Sequence, residues 1–194
     1  HVFNEGSADT DFRVESNGNT HMLFVDGGND HINIGTSSDL GGVLNVSGTA
    51  VIQTADNSNT LSLVSTDADA DSGPNLRLYR NNDSNGDGDV LGQIDFEGRN
   101  DNSQDVVYAR IRAVAEDITD GTEDARIIIE KAVNGSTTEV MRSVGSETVF
   151  NEGSIDLDFR VETNGQTHAI FAEGGTDRVG ILNSSPQKAL DVTG

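Results

Sequence analysis

The sequence has no cysteine and no tryptophan, only 2 prolines, and aromatic residues at 5% of its 194 positions. Without cysteine, no disulfide framework can compensate for a small core. With only 34% hydrophobic residues, one large self-contained core is hard to fill. Repetition, or surface contributed by other subunits, must then supply stability, which points toward an oligomer. Positive charge is scarce as well: 12 basic residues stand against 33 acidic ones, for a net charge of −21, and only Lys131 and Lys188 are lysines. Such a balance excludes nucleic acid, whose phosphates need clustered Lys and Arg, and disfavours anionic membranes. A hydrated surface suited to saline water is consistent with it. No window reaches the roughly 18 unbroken apolar residues of a membrane span, and no basic-then-apolar leader opens the chain. The sequence begins at His1 rather than Met, so the expectation is a piece of a longer polypeptide.

Present in quantity are 22 glycines, and Asn, Asp, Ser and Thr separate short apolar runs, the texture of many strands joined by tight turns. The strongest signal is an internal duplication. Residues 2–34 and 149–181 match at 21 of 33 positions without a gap, and the copies continue, after a one-residue offset, into LNVSG at 44–48 and LDVTG at 190–194. In each copy a polar-apolar alternation (Phe12 and Val14; Phe159 and Val161) predicts a strand. Asn17-Gly18 and Asn164-Gly165 then predict two-residue hairpin turns with positive φ. The following strand carries apolar residues on both faces (Met22 and Phe24 against Leu23 and Val25), so both faces call for burial, most simply against neighbouring chains. Gly27-Gly28 and Gly174-Gly175 lead into a third short strand, making each copy a β-meander.

Between the copies, Val90, Gly92, Ile94 and Phe96 alternate with polar partners. Val107, Ala109, Ile111, Ala113 and Ala115 form a second inward row, with Arg110 and Arg112 outward. Asp120-Gly121 and Asn134-Gly135 offer turns around Ile127–Ile129. Leu61–Val64 and Leu76–Tyr79 fit edge strands, and the acidic stretch 67–72 reads as a loop. The expected architecture is all-β: antiparallel β-meander repeats at 1–48 and 148–194 flanking a β-sandwich or β-prism-like segment at 49–147. The alanine-rich inward row favours a symmetric bundle, a homotrimer, around a shared axis.

Candidate sites are few. Asp83, Asn85, Asp87 and Asp89 match the first half of a calcium loop with Gly88 at the sixth position, but Ile94 stands where a bidentate Glu is required, and a polar hairpin loop is the plainer reading. Asp67, Asp69 and Asp71 make a weaker case of the same kind. His21 and His168 hold equivalent repeat positions, where a threefold axis would gather three imidazoles, although a hydrogen-bonded structural histidine is the commoner role. His31 becomes Arg178 in the second copy and carries little weight. No nucleophile-base pair stands out, acidic residues are too plentiful to single out a catalytic couple, and the aromatic platform of a glycan-cleaving site is poor. The glycine pairs do not open a helix after a strand, so no phosphate-binding cofactor loop is indicated. The expected assignment is a non-enzyme without cofactor or metal.

The stretch VFNEGSADTDFRVESNGNTHMLFVDGG, its second copy, the segment NLRLYRNNDSNGDGDVLGQIDFEGRNDNSQDVVYARIRA and the ending NSSPQKALDVTG resemble repeats of tail-fibre proteins of phages, marine phages especially. Together these cover most of the chain. The resemblance implies an extended trimeric fibre on the virion, in contact with other tail proteins, that attaches to a host receptor or glycan. In that family an ending of the type seen from Gly180-Ile181 through Pro186 to Leu190–Gly194 often precedes a distal tip or a self-cleaving chaperone domain. Here Leu182-Asn183 departs from the usual Gly-Thr, and the first copy has Asp39 in place of the proline. A cellular surface filament or adhesin of the same modules is the main rival, and a glycan depolymerase is a third.

Overall fold

The computed structural model describes residues 2–193, and the chain is all-β. It divides into two compact units, one ending at Asn75 and the other beginning at Leu76. In the first unit, β1 (Phe12–Val14), β2 (Leu23–Asp26), β3 (His31–Ile34) and β4 (Leu44–Val46) form one sheet in that order. The first three pair antiparallel as a meander. The fourth departs from the meander: β4 lies parallel to β3 after a nine-residue return. The strands are short enough that so brief a connection can close a parallel pair, which ordinarily needs a dozen residues or more.

Register assigns the faces. Phe12 stands opposite Val25 and Val14 opposite Leu23, while Ile32 faces Leu44 and Ile34 faces Val46. Directly opposed residues share a face, so all these apolar side chains line one side of the sheet, which stays open beyond the Phe3 ring set against Phe12: all but Leu23 are exposed. The reverse side carries Phe24, Asn33 and Asn45, all buried. Only one of the two faces expected to need outside cover is therefore open; the Phe24 face is closed by the chain itself.

Three features hold the repeat's entry loop on the sheet. Asn4 clasps the loop, its Nδ2 donating to the Ala8 carbonyl at 2.6 Å and its Oδ1 accepting from the Ala8 N–H at 2.9 Å. Asp11 Oδ1 accepts from the Gly27 N–H. Gly27 itself sits so close to the loop that a Cβ there would lie 2.7 Å from the Thr10 carbonyl oxygen. The Gly-Gly pair thus serves close approach, and the positive φ of the β2–β3 turn falls on Asp30, at 58°.

In the second unit, β5 (Val90–Arg99), β6 (Asp105–Asp117), β7 (Asp124–Val133), β8 (Ser136–Val144) and β9 (Glu147–Phe150) form one five-stranded antiparallel meander. The Asn134-Gly135 turn adopts the expected positive φ at both residues, 49° and 83°. No second sheet stacks on the meander within the unit, and among the described residues 47–89 no strand forms, so the sandwich or prism and the edge strands expected at Leu61–Val64 and Leu76–Tyr79 are absent from the single chain. Two bulges also change the expected rows. One between Val90 and Gly92 moves Val90 off the face of Ile94, and one between Phe96 and Glu97 moves Val107 off the face of Ala109.

The second copy follows as β10 (Phe159–Thr163), β11 (Gln166–Glu173), β12 (Arg178–Ile181) and β13 (Leu190–Val192), with the same order and the same parallel last pair. Asn151 clasps Ile155 as Asn4 does Ala8, and Phe171 is buried as Phe24 is. The Asn164-Gly165 loop joins Thr163 to Gln166 in two residues, but without the expected positive φ and with a neighbouring irregularity; at Asn17-Gly18 the loop is longer, and the positive φ is again missing.

The close approach at the glycine pair is testable. Gly174→Ala would place a Cβ 2.6 Å from the Leu157 carbonyl oxygen, and we expect it to destabilise the protein by about 1–3 kcal/mol. Gly165→Ala, with open space around it, should be within about 1 kcal/mol of wild type; equal thermal midpoints for the two variants would contradict the packing assigned here.

Candidate functional site

The middle sheet has two unlike faces. Across one runs a row in which Ile94 opposes Ile111, Ile111 opposes Ile129, Ile129 opposes Met141 and Met141 opposes Phe150, one residue from each strand. The other face is ionic. Arg110 grips Asp95 with two bonds, Nε to Oδ1 at 2.6 Å and Nη2 to Oδ2 at 3.1 Å. Arg112 Nη2 reaches Glu130 Oε1 at 3.0 Å, Arg126 Nη1 reaches Glu116 Oε1 at 2.9 Å, and Arg142 pairs with Glu152 and lies 3.6 Å from Glu139.

This reverses the expected sense of the middle segment. Ile94 and Ile111 are 43% and 41% exposed, whereas Arg110 and Arg112, expected to point outward, are half-buried. The reason is that within the chain the apolar face is covered at its Gly92 end, where Leu78 packs, and lies open at Ile94 and Ile111, while long arginine stems lie along the sheet and shield what is beside them. Ile128, opposite both Arg112 and Arg142, is only 2% exposed.

The hydrogen bond from Arg110, opposed by desolvation, holds the Asp95 carboxyl below the ordinary range. A general acid needs the reverse shift. Among the described residues the hydroxyl–histidine hydrogen bonds join chain neighbours, Thr20 Oγ1 with His21 Nδ1 and Thr167 Oγ1 with His168 Nδ1, each 2.9 Å.

Those two histidines present their rings edge-on to the buried Phe24 and Phe171, at centroid distances of 5.2 and 5.0 Å, which gives each a packing role inside its own repeat. His31 lies 3.3 Å from Asp39 Oδ1. Its counterpart Arg178 donates to the carbonyl of Pro186, the counterpart of Asp39. The two copies thus tie the same strand to the same loop by different chemistry.

The acidic runs are engaged with the chain. Asp89 Oδ2 accepts from the Gly86 N–H at 3.0 Å and pairs with Arg80 at 3.1 Å. Asp87 Oδ1 accepts from the Ile118 N–H. Asp67 and Asp69 cap the N–H groups of Asp69 and Asp71 in successive exposed turns. Among the described residues no group of three or more His, Asp or Glu side chains converges as a metal ion would require.

Each repeat has a cavity where its entry loop meets the sheet, about 820 Å³ in the first copy and about 250 Å³ in the second. Both are walled by the same pair of stacked rings, Phe3 on Phe12 at 5.1 Å and Phe150 on Phe159 at 4.9 Å, and both open beside the uncovered apolar face. The described residues thus present three sheets, each with one apolar side largely open. No family model matches the chain, and no curated protein matches it significantly.

The Asp95–Arg110 pair generates a pH test. Because the folded carboxyl titrates below its unfolded value near pH 4, its contribution is fully present above about pH 5 and is lost as pH falls through the folded pKa. Asp95→Asn should thus lower stability in urea at pH 7, with the gap from wild type closing below about pH 4. A gap of the same size at pH 3 would contradict the pairing.

Proposed function

We propose that the chain is a structural segment of a virion fibre, a phage tail fibre, which assembles as an elongated homotrimer, sits outside the cell among other tail proteins and serves attachment to a host receptor or glycan. The observation that carries this reading is the open apolar side found on every sheet, in the same register in both repeats. One chain of net charge −21 that leaves such faces open needs partners with matching faces, and identical copies supply them under symmetry. Duplication of a β module within one chain suits a part whose task is length. The resemblance of both copies and of the middle segment to phage fibre repeats adds the viral setting.

A surface filament or adhesin on a cell would use the same modules, and electron micrographs that place the protein on virions or on cells separate the two readings. A glycan depolymerase predicts that the purified chain cleaves polysaccharide. The ionic pairing of Asp95 speaks for a structural role at that position.

Light scattering of the purified chain should give a mass three times the 20.5 kDa of one subunit, and negative-stain images should show rods. A monodisperse 20.5 kDa particle would overturn the reading. Phe24 and Phe171 are poor positions for disrupting assembly, because both are buried inside their own repeats. Aspartate there should unfold the repeat.

A further inference from the structure

The open apolar sides of the middle sheet and the second repeat are not separate. β9 closes the middle sheet against β8 and is also where the second copy of the repeat begins. Its Phe150 ends the cross-strand row that starts at Ile94. The same ring stacks on Phe159 at 4.9 Å with a 37° tilt. Phe159 in turn opens the uncovered face of the second repeat, where Val161 opposes Ile170 and Ile181 opposes Val192. One strip with a single charged paired position, Lys131, therefore runs from β5 to β13.

We propose that this strip is the surface on which copies of the chain pack against one another. The inference rests on the oligomeric reading above and deepens it by naming the interface. Four observations favour a second copy as the occupant. Among the paired positions of the strip only Lys131 is charged, so two chains of net charge −21 meet there with the least repulsion. The reverse face of the middle sheet has its arginines already engaged with carboxylates, whereas the strip is open at Ile94, Ile111 and Phe150, beyond the end where Leu78 packs on Gly92. The occupant must span two sheets, which a small ligand does not. Finally, the first repeat carries the same junction, Phe3 on Phe12 at 5.1 Å and 40°, beside an equally open face, so a copy of this chain offers matching surface at both repeats.

An anionic lipid surface would be repelled by the acidic chain.

The absence of cysteine makes the strip directly addressable. Single variants Ile94→Cys and Val161→Cys place a thiol on it, at side chains 43% and 39% exposed. Gln93→Cys and Arg160→Cys place one on the opposite faces. Each variant is first checked for wild-type mass and melting temperature, then oxidised with copper phenanthroline or treated with a short bismaleimide, and resolved without reductant. The expected result is cross-linked chains from Ile94→Cys and Val161→Cys, at least tenfold more than from Gln93→Cys or Arg160→Cys. If the protein is oligomeric but the strip thiols stay free, or cross-link no more than the outer ones, the strip is not the interface, and the oligomeric reading survives. If wild type is itself a monomer by light scattering, the oligomeric reading fails, and with it this inference.

Discussion

A sheet has two sides, and burial of apolar surface on at least one of them is what makes it stable in water. In this chain each sheet closes a side with groups of its own. The repeats use their Phe24 or Phe171 ring with the adjoining strand positions, and the middle sheet uses arginine stems laid over Ile128. The second side of each is left with Ile, Val, Leu and Phe in contact with solvent. Covering a side chain of this size is worth about 1.5–3 kcal/mol, so an uncovered row forgoes an amount comparable with the whole stability of a small domain. The local geometry, the charge distribution and the proposed assembly all follow from how that second side is satisfied.

The duplicated module shows which interactions the geometry requires. The Asn clasp, the Asp-to-glycine hydrogen bond and the stacked Phe pair occur in both copies with nearly the same distances. Where the copies differ, they differ in compensating sets. His31 with Asp39 becomes Arg178 with the Pro186 carbonyl. The buried amide pair, Asn45 Nδ2 to Asn33 Oδ1 at 2.7 Å, becomes Gly180 and Asp191, the latter accepting from the Gln187 N–H. The return loop is one residue shorter in the second copy, yet the last strand keeps its pairing, with Leu190 opposite Val179 as Leu44 is opposite Ile32. The apolar character of the open face survives all of these changes.

Much of the fold was legible in the sequence because it is local. Alternation placed β1, β2, β5 and β6, Asn134-Gly135 marked its turn, and the duplication announced two equivalent sheets. What was not legible depends on contacts that periodicity does not encode. Leu44–Val46 stands out in the sequence only as part of the repeated LNVSG and LDVTG stretch, and tertiary pairing makes it a parallel strand. Bulges at Leu91 and Tyr108 shift a row by one residue, which flips a side chain to the other face. The runs at 61–64 and 76–79 alternate as strands do but form no ladder within the chain, and Leu78 packs on Gly92 instead. Inward and outward were read from hydrophobicity, which assumes that a cover exists; in one chain the arginines of β6 are the shielded row. Arg110 and Arg112, two apart on one strand, were the available signal for the ionic face, and they were read as pointing outward.

Under the proposed fibre role, the uncovered sides turn a marginal chain into a stable assembly, and folding becomes inseparable from association. Linkage then makes stability depend on how much protein is present. The most direct test of that claim is the thermal midpoint measured across a several-hundredfold range of chain concentration, in one buffer at fixed salt. The account predicts a midpoint that climbs steadily with concentration, and a midpoint that stays constant across the range would contradict it.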